Sequence, residues 1–286
     1  MSGAQGLFAI DSSAVIHPAA HVAQGARIGP GCRIGPGCVV SAEAVLGQGV
    51  ELISHVVLDG RVTLGDGVKV YPFATIGLAP QDLKYKGEPT SVEIGPRTHV
   101  REHTTIHRGS TGGSGVTRIG SDCLLMCVVH VGHDCVIGNN VILVNNVMLA
   151  GHVEIGDFAF ISGGCAIQQF VRVGRMAMVA GMSGVERNVL PYGRAKGYRA
   201  KLYGLNTIAM RRRLGVSKER VMAVALAVHE LYRAPRPDEV ATAIAAQYPD
   251  DDLVQEVLRF AADRGRHGLI PFGRSNPEDE DAGDAA

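Results

Sequence analysis

One spacing governs most of this chain. From Ile16 every sixth residue is aliphatic: Val22, Ile28, Ile34, Val40, Leu46, Leu52, Leu58, Leu64, Val70 and Ile76 follow without an exception. Four residues after each comes a small one, among them Ala20, Ala26, Cys32, Cys38 and Ala44. The ruler resumes at Ile94, Val100 and Ile106, then runs from Ile119 to Val185. A helix repeats its apolar face every 3.6 residues and a half-buried strand every two, so a strict six with frequent Gly after the aliphatic residue means a short strand plus a turn. Hexapeptide repeats of this kind build a parallel β-helix, in which each strand buries one aliphatic and one small residue and stacked coils pair their backbones. With three hexads to a coil, the ruler spans about eight to nine coils.

The same ruler accounts for the cysteines. Cys32, Cys38, Cys123, Cys135 and Cys165 stand at the small inward position, where a thiol behaves as a compact hydrophobe, and only Cys127 is off register. No CxxC spacing points to zinc or a redox pair.

Two segments interrupt the period: residues 78–93, containing APQDLKYKGEPT, and residues 111–118, TGGSGVTR. Continuing the hexads through the first would bury Asp82 and Glu88, so both read as loops. The expected fold is mainly β, a parallel β-helix over residues 1–190. After about Pro191 the pattern becomes helical: Ser217 is an N-cap candidate, and Val221, Val224, Val228 and Leu231 share one face. Pro235 and Pro237 break that helix, and two more follow, one with Val240, Ile244 and Tyr248, the other with Leu253, Val257 and Phe260. An α-helical domain is therefore expected over 191–274, with residues 275–286, SNPEDEDAGDAA, as a disordered acidic tail.

Charge excludes some partners. Lys+Arg and Asp+Glu are equal at 28 each, so no overall basic field argues for nucleic acid or an anionic membrane. No apolar run approaches the roughly 18 residues of a membrane span, and MSGAQGLFAIDSS lacks the charged start and apolar block of a leader. The expected location is the cytoplasm.

The chemistry gathers where the interruptions meet histidines. If each loop is an insertion after a complete face, Ile76, Ile106, Val131, Leu149 and Ile167 share one side of the prism. His107, His133 and His152 then stand one, two and three residues after those aliphatics in successive coils, outward and near one edge. His133, Gly151 and Gln169 are 18 apart in sequence and stack directly. A glycine beside a histidine leaves room for a substrate to approach the backbone N–H. The loop carrying Gln81, Asp82 and Lys84 leaves from the same side and can fold over them. His99, His103, His229 and His267 have no such company and read as surface histidines. The rival for His130 and His133 is zinc, since three histidines can bind a metal between subunits. Arg194, Lys196, Arg199, Lys201 and Arg211 to Arg213 could hold phosphates or form a solvated basic face.

The motifs QDLKYKGEPT (81–90), TIHRGS (105–110), HVGHDC (130–135), LAGHVEIGDFA (149–159) and the RRR run with Asn206 before it resemble the UDP-N-acetylglucosamine acyltransferases, over about residues 10–270. The resemblance implies a triangular, left-handed β-helix and a homotrimer with sites between subunits. The implied reaction moves a 3-hydroxyacyl chain from acyl carrier protein to the 3-hydroxyl of UDP-N-acetylglucosamine. This is the first step of lipid A biosynthesis. No metal or other cofactor is implied, the donor being carried on the carrier's phosphopantetheine. By resemblance His133 is the general base, Asp134 orients it and Gly151 N–H holds the oxyanion. Asp82, Lys84 and His107 meet the acceptor, with Gln81 on the same loop. His130 and His152 line the site. Gln169, Asn206 and Arg212 contact nucleotide or donor, Arg213 contacts phosphate, and Gly181 sets acyl-chain length. Gln168 and Ile208 depart from the family's pattern, in which His and an acidic residue are common at those places. The alternatives are an N-acyltransferase for an amino-sugar nucleotide and a metal-dependent hydratase of the same fold.

Overall fold

The computed structural model describes residues 10–273, so the acidic tail lies outside the described residues. Short strands from Val15–Ile16 to Gly184–Val185 are dealt in turn to three parallel sheets, the faces of a left-handed β-helix. We call them first, second and third in chain order. Each ruler residue pairs with the ruler residue of the next coil. On the second face Leu58 pairs with Ile76, Ile76 with Ile106, Ile106 with Val131, Val131 with Leu149, and Leu149 with Ile167, the side expected from the phasing.

The ruler residues from Ile28 onward point inward and are buried, and so are the small partners, including Cys32, Cys38, Cys123, Cys135 and Cys165. Burying one Leu or Ile contributes about 2 kcal/mol, so the stack of identical layers supplies the fold's cohesion. Three residues after the aliphatic, the chain turns through positive φ. Glycine does this at Gly31, Gly37 and Gly49, but at the edge between the second and third faces Asp134 (59°), His152 (61°) and Phe170 (64°) do it with side chains attached. Asn, Asp and His bear this conformation better than most residues.

Both insertions leave from that edge. Pairing stops at Leu78 and resumes at Ser91, then stops at His107 and resumes at Val116. The second insertion therefore occupies 108–115, earlier than 111–118, because Val116–Ile119 already pair with Ser91–Ile94 on the third face. The β-structure also runs past residue 190. Gly193–Lys196 pairs in parallel with Met178–Val179, and Lys201–Leu205 closes the first face antiparallel. The ruler is silent here because the coil shortens: Val173 bridges Val189, 16 residues on.

Four helices follow among the described residues. They are α1 (Thr207–Leu214), α2 (Lys218–Arg233), α3 (Pro237–Ala245) and α4 (Asp252–Ala262). Ser217 caps α2 by accepting from the Arg220 N–H, and Val221, Val224, Val228 and Leu231 are its buried face, as expected. No described helix is long and apolar enough to cross a membrane.

Candidate active site

Val131 and Cys135 are pinned inside, which leaves His133 and Asp134 to make the turn between the second and third faces. Asp134 is held there by its own backbone: its N–H donates to Thr117 Oγ1 at 2.9 Å. Its carboxylate is surrounded by donors. Oδ2 accepts from Ser110 N–H (3.0 Å), from Ser110 Oγ (2.7 Å) and from His133 Nδ1 (2.8 Å), and Oδ1 accepts from Gly115 N–H (3.0 Å). Burial opposes the charge, yet the hydrogen bonds from His133 and Ser110 outweigh it and hold the carboxyl below its ordinary value. A carboxylate can only accept, so His133 carries its proton on Nδ1 and keeps the Nε2 lone pair free.

Nε2 faces Gly151 in the next coil. A Cβ on Gly151 would come within 2.5 Å of it, so only glycine admits the imidazole in this place. Among the described residues the Gly151 N–H donates to no acceptor. The coil itself explains why. The equivalent turn position holds Pro18, Pro30, Pro36, Pro72 and Pro96, which have no N–H, and where it carries one, as at Gln48, Ser121 and Asn139, the partner is a side chain of the next coil: Asp66, Asn139 and Asp157. At Gly151 that N–H is left open beside a basic nitrogen.

Two further histidines complete the wall. His107 and His130 meet edge to face at 4.9 Å, and Thr105 Oγ1 lies 2.7 Å from His130 Nδ1. Burial, then the neighbouring His130 and His133, pushes His107 down to about 4. Burial, then His133, lowers His130 as well. All three expected histidines lie outside the prism, yet outward is not exposed: His107 and His133 are each 7% accessible. A groove of about 400 Å³ runs past them, lined among others by Gln81, His107, His130, His133, Gly151 and Gln169. Asp82 lies close enough for its charge to bear on His152. Lys84 is exposed, and its backbone N–H donates to Asp82 Oδ1 at 3.0 Å.

Other expected site residues stand elsewhere. Asn206 caps α1, accepting from Ala209 N–H and donating through Nδ2 to Met176 O at 3.0 Å. Arg212 is exposed, and Arg213 lies 5.5 Å above the Phe158 ring. Met176 and Phe158 belong to the edge between the third and first faces, so the single chain does not bring α1 to the groove. Gly181 sits at the remaining edge, where an added Cβ would meet Gly163 O at an ordinary 3.4 Å. Residues that the sequence reading passed over include Thr117, Ser110, Gly115 and Phe170. Of these Ser110 stood in TIHRGS, and Gly115 and Thr117 lay in the interrupting segment 111–118.

A family model for the second domain of UDP-N-acetylglucosamine O-acyltransferase matches residues 188–270, and the bacterial transferase hexapeptide model matches 10–42 and 116–151. Solved structures agree over almost the whole chain. The UDP-N-acetylglucosamine acyltransferase from Bacteroides fragilis is 32% identical, covering 91% of this chain and 99% of its own, with a TM-score of 0.80. That from Campylobacter jejuni is 34% identical, covering 92% and 100%, also at 0.80. A third, from Acinetobacter baumannii, is 34% identical over 92% and 99%, at 0.81. This chain belongs to the UDP-N-acetylglucosamine acyltransferase family. It is an enzyme of the acyltransferase class carried on a hexapeptide-repeat fold.

In this acyltransferase one cluster has the composition of a metal site: ligand atoms of His133, Asp134 and His152 lie within 4.8 Å of one another. The donor set does not fit a cation. Both oxygens of Asp134 are already committed to N–H and O–H donors, and His133 presents its Nδ1 proton, not a lone pair, to the same carboxylate. A metal there would have to displace the bonds that build the turn.

Proposed function

We propose that the chain transfers a 3-hydroxyacyl group from the phosphopantetheine thioester of acyl carrier protein to the 3-hydroxyl of the glucosamine ring in UDP-N-acetylglucosamine. In the cytoplasm this is the opening step of lipid A biosynthesis. The observation that carries the reading is the pairing of a free imidazole nitrogen, His133 Nε2, with an uncommitted N–H, Gly151, at one groove.

His133 Nε2 takes the proton of the sugar hydroxyl as its oxygen attacks the thioester carbon. The oxygen of that carbonyl becomes an oxyanion and is held by the Gly151 N–H, a contribution of about 3 kcal/mol in comparable sites. Asp134 stabilises the imidazolium through Nδ1. Collapse of the intermediate breaks the C–S bond, and the imidazolium returns its proton to the departing sulfur. An ester and a free carrier thiol result, with no acyl-enzyme and no metal in the cycle.

Asp82, Lys84 and His107 meet the acceptor, with Gln81, His130 and His152 lining the groove beside them. Gln169, Asn206 and Arg212 contact nucleotide or donor, and Arg213 contacts phosphate. Because Asn206 and α1 stand on a different edge from His133, the roles of Asn206, Arg212 and Arg213 require a neighbouring copy, and a homotrimer supplies one at each edge. The exposed apolar side chains of Phe73 (50% accessible), Val128 (50%) and Met182 (78%), in line on the edge between the first and second faces, support such packing.

The test is a transfer assay with 3-hydroxyacyl carrier proteins of several chain lengths and UDP-N-acetylglucosamine. His133→Ala should fold and trimerise but turn over at least about a hundredfold more slowly. Near-normal turnover in that variant would sink the reading.

A further inference from the structure

The segment after α4 returns to the catalytic edge and adds two layers to the histidine pair. Arg266 lays its guanidinium 3.7 Å from the centre of the Phe170 ring. Phe170 takes the turn position that Asp134 and His152 take in the preceding coils, and its ring stacks on His152 at 4.4 Å with 8° between planes. His152 then meets His133 edge-on, at 4.9 Å and 86°. The segment is fastened on both sides. Arg172 pairs with Asp263 at 2.8 Å, Asn188 N–H donates to Gly268 O at 2.8 Å, and His267 Nε2 donates to Gln169 O at 2.8 Å.

We propose that Arg266 is a positioning residue for the acyl-transfer centre: its cation clamps Phe170 against His152, and this fixes the His152 imidazole edge-on to the general base. The inference rests on the reading of His133 as that base.

The orientation of His152 matters because its Nε2 stands only 4.0 Å from Asp134 Oδ2, the oxygen that orients His133. A loosened or protonated His152 would turn to that carboxylate and compete for it. The charges facing His152 are mixed. Burial holds it below the ordinary histidine value; Asp134 and Asp82 push it up, while His133 and Arg266 push it down. Arg266 therefore acts twice, by ring contact and by charge.

The experiment compares Arg266→Gln, Arg266→Lys and Phe170→Leu with wild type in the full-length enzyme. One readout is the titration of His152, followed by NMR with histidine labelled at the ring carbon and no substrate present. The other is kcat and KM for both substrates between about pH 5 and pH 8. In Arg266→Gln the His152 midpoint should rise. Its kcat should fall about fivefold at neutral pH, the size of one surface cation–ring contact, and further on acidification. KM should stay within about twofold. Phe170→Leu should lower kcat similarly, and Arg266→Lys should keep the wild-type midpoint because it keeps the charge. A wild-type midpoint and kcat in Arg266→Gln would overturn the proposal. So would a lower kcat with an unmoved midpoint and a reduced Tm, which describes a mere brace. If wild type transfers no acyl group, the acyl-transfer reading fails, and the titration alone decides the ladder.

Discussion

The imidazole of His133 lies on the α-carbon of Gly151 in the adjacent coil, so closely that a Cβ there would come within 2.5 Å of Nε2. The contact joins the nitrogen proposed to take the proton to the N–H proposed to hold the oxyanion. The pairing of Val131 with Leu149 in the core holds the two turns in register.

Gly151→Ala should therefore separate chemistry from folding. The backbone at Gly151 is not in the left-handed region, and the atoms nearest an added Cβ are those of the His133 ring. We expect kcat to fall about a hundredfold, the scale of a misplaced catalytic group, with Tm nearly unchanged. Thermal melting alongside steady-state kinetics checks this, and a variant with normal kcat would contradict the assigned geometry.

Asp134→Asn should cost both activity and stability. An amide presents one accepting oxygen where the carboxylate presents two, so the donors Ser110, Gly115 and His133 cannot all be met. Loss of a buried charged acceptor costs about 2 kcal/mol or more. The Asp134 carboxyl lies below its ordinary value of 3.8 when folded, so its contribution is present above that value and is lost as pH falls through the lower, folded one. Wild type should lose Tm through this acid range. Asp134→Asn should start lower and show a flatter profile, measured by melting from about pH 6 down to pH 2.

Much of this edge was legible in the sequence. The ruler alone assigned Val131 and Cys135 to the interior and left His133 and Asp134 to the turn, because a period of six allows no other register. It also put Gly151 beside His133. The ruler carries no information across insertions, however, so it could not foresee that Ser110, 24 residues away, would cap Asp134 and leave His133 7% accessible. Arg266 was invisible for the same reason, lying in a separate element. The helix α1 escaped because TIAMRRRL buries only Met210 and so has no apolar face to read.

His107 should titrate well below the ordinary imidazole value. Pushed down to about 4 from 6.5, it stays neutral when folded across a range in which the unfolded chain takes up a proton. The unfolded state is thus favoured progressively as pH falls from 6.5 to about 4, and below that the penalty is constant. His107→Gln should remove this part of the slope of stability against pH, as denaturant titrations at several pH values would reveal. An unchanged slope would mean that His107 is solvated.

Chelation should leave turnover unchanged. Each oxygen of Asp134 already serves protein donors, so a cation is not what holds the cluster of His133, Asp134 and His152 together. Dialysis against a chelator, followed by the transfer assay and metal analysis, tests this. Activity lost on dialysis and restored by zinc would overturn it.

Gly181→Met should change which donor is used without changing how it reacts. The glycine lies at the edge between the first and second faces, where the atoms nearest an added Cβ are Gly163 O at 3.4 Å and Ser162 Cβ at 3.9 Å. A side chain therefore enters open space, and the coil beneath is undisturbed. In the proposed trimer that space takes the end of the acyl chain, which a thioether would fill. Donors with shorter acyl groups should then be favoured. One methylene in an apolar pocket is worth about 1 to 3 kcal/mol, so removing room for several should shift the preference by well over tenfold. Competition between short and long 3-hydroxyacyl carrier proteins reads the ratio directly. An unchanged ratio with normal kcat would place the chain's end somewhere other than this edge.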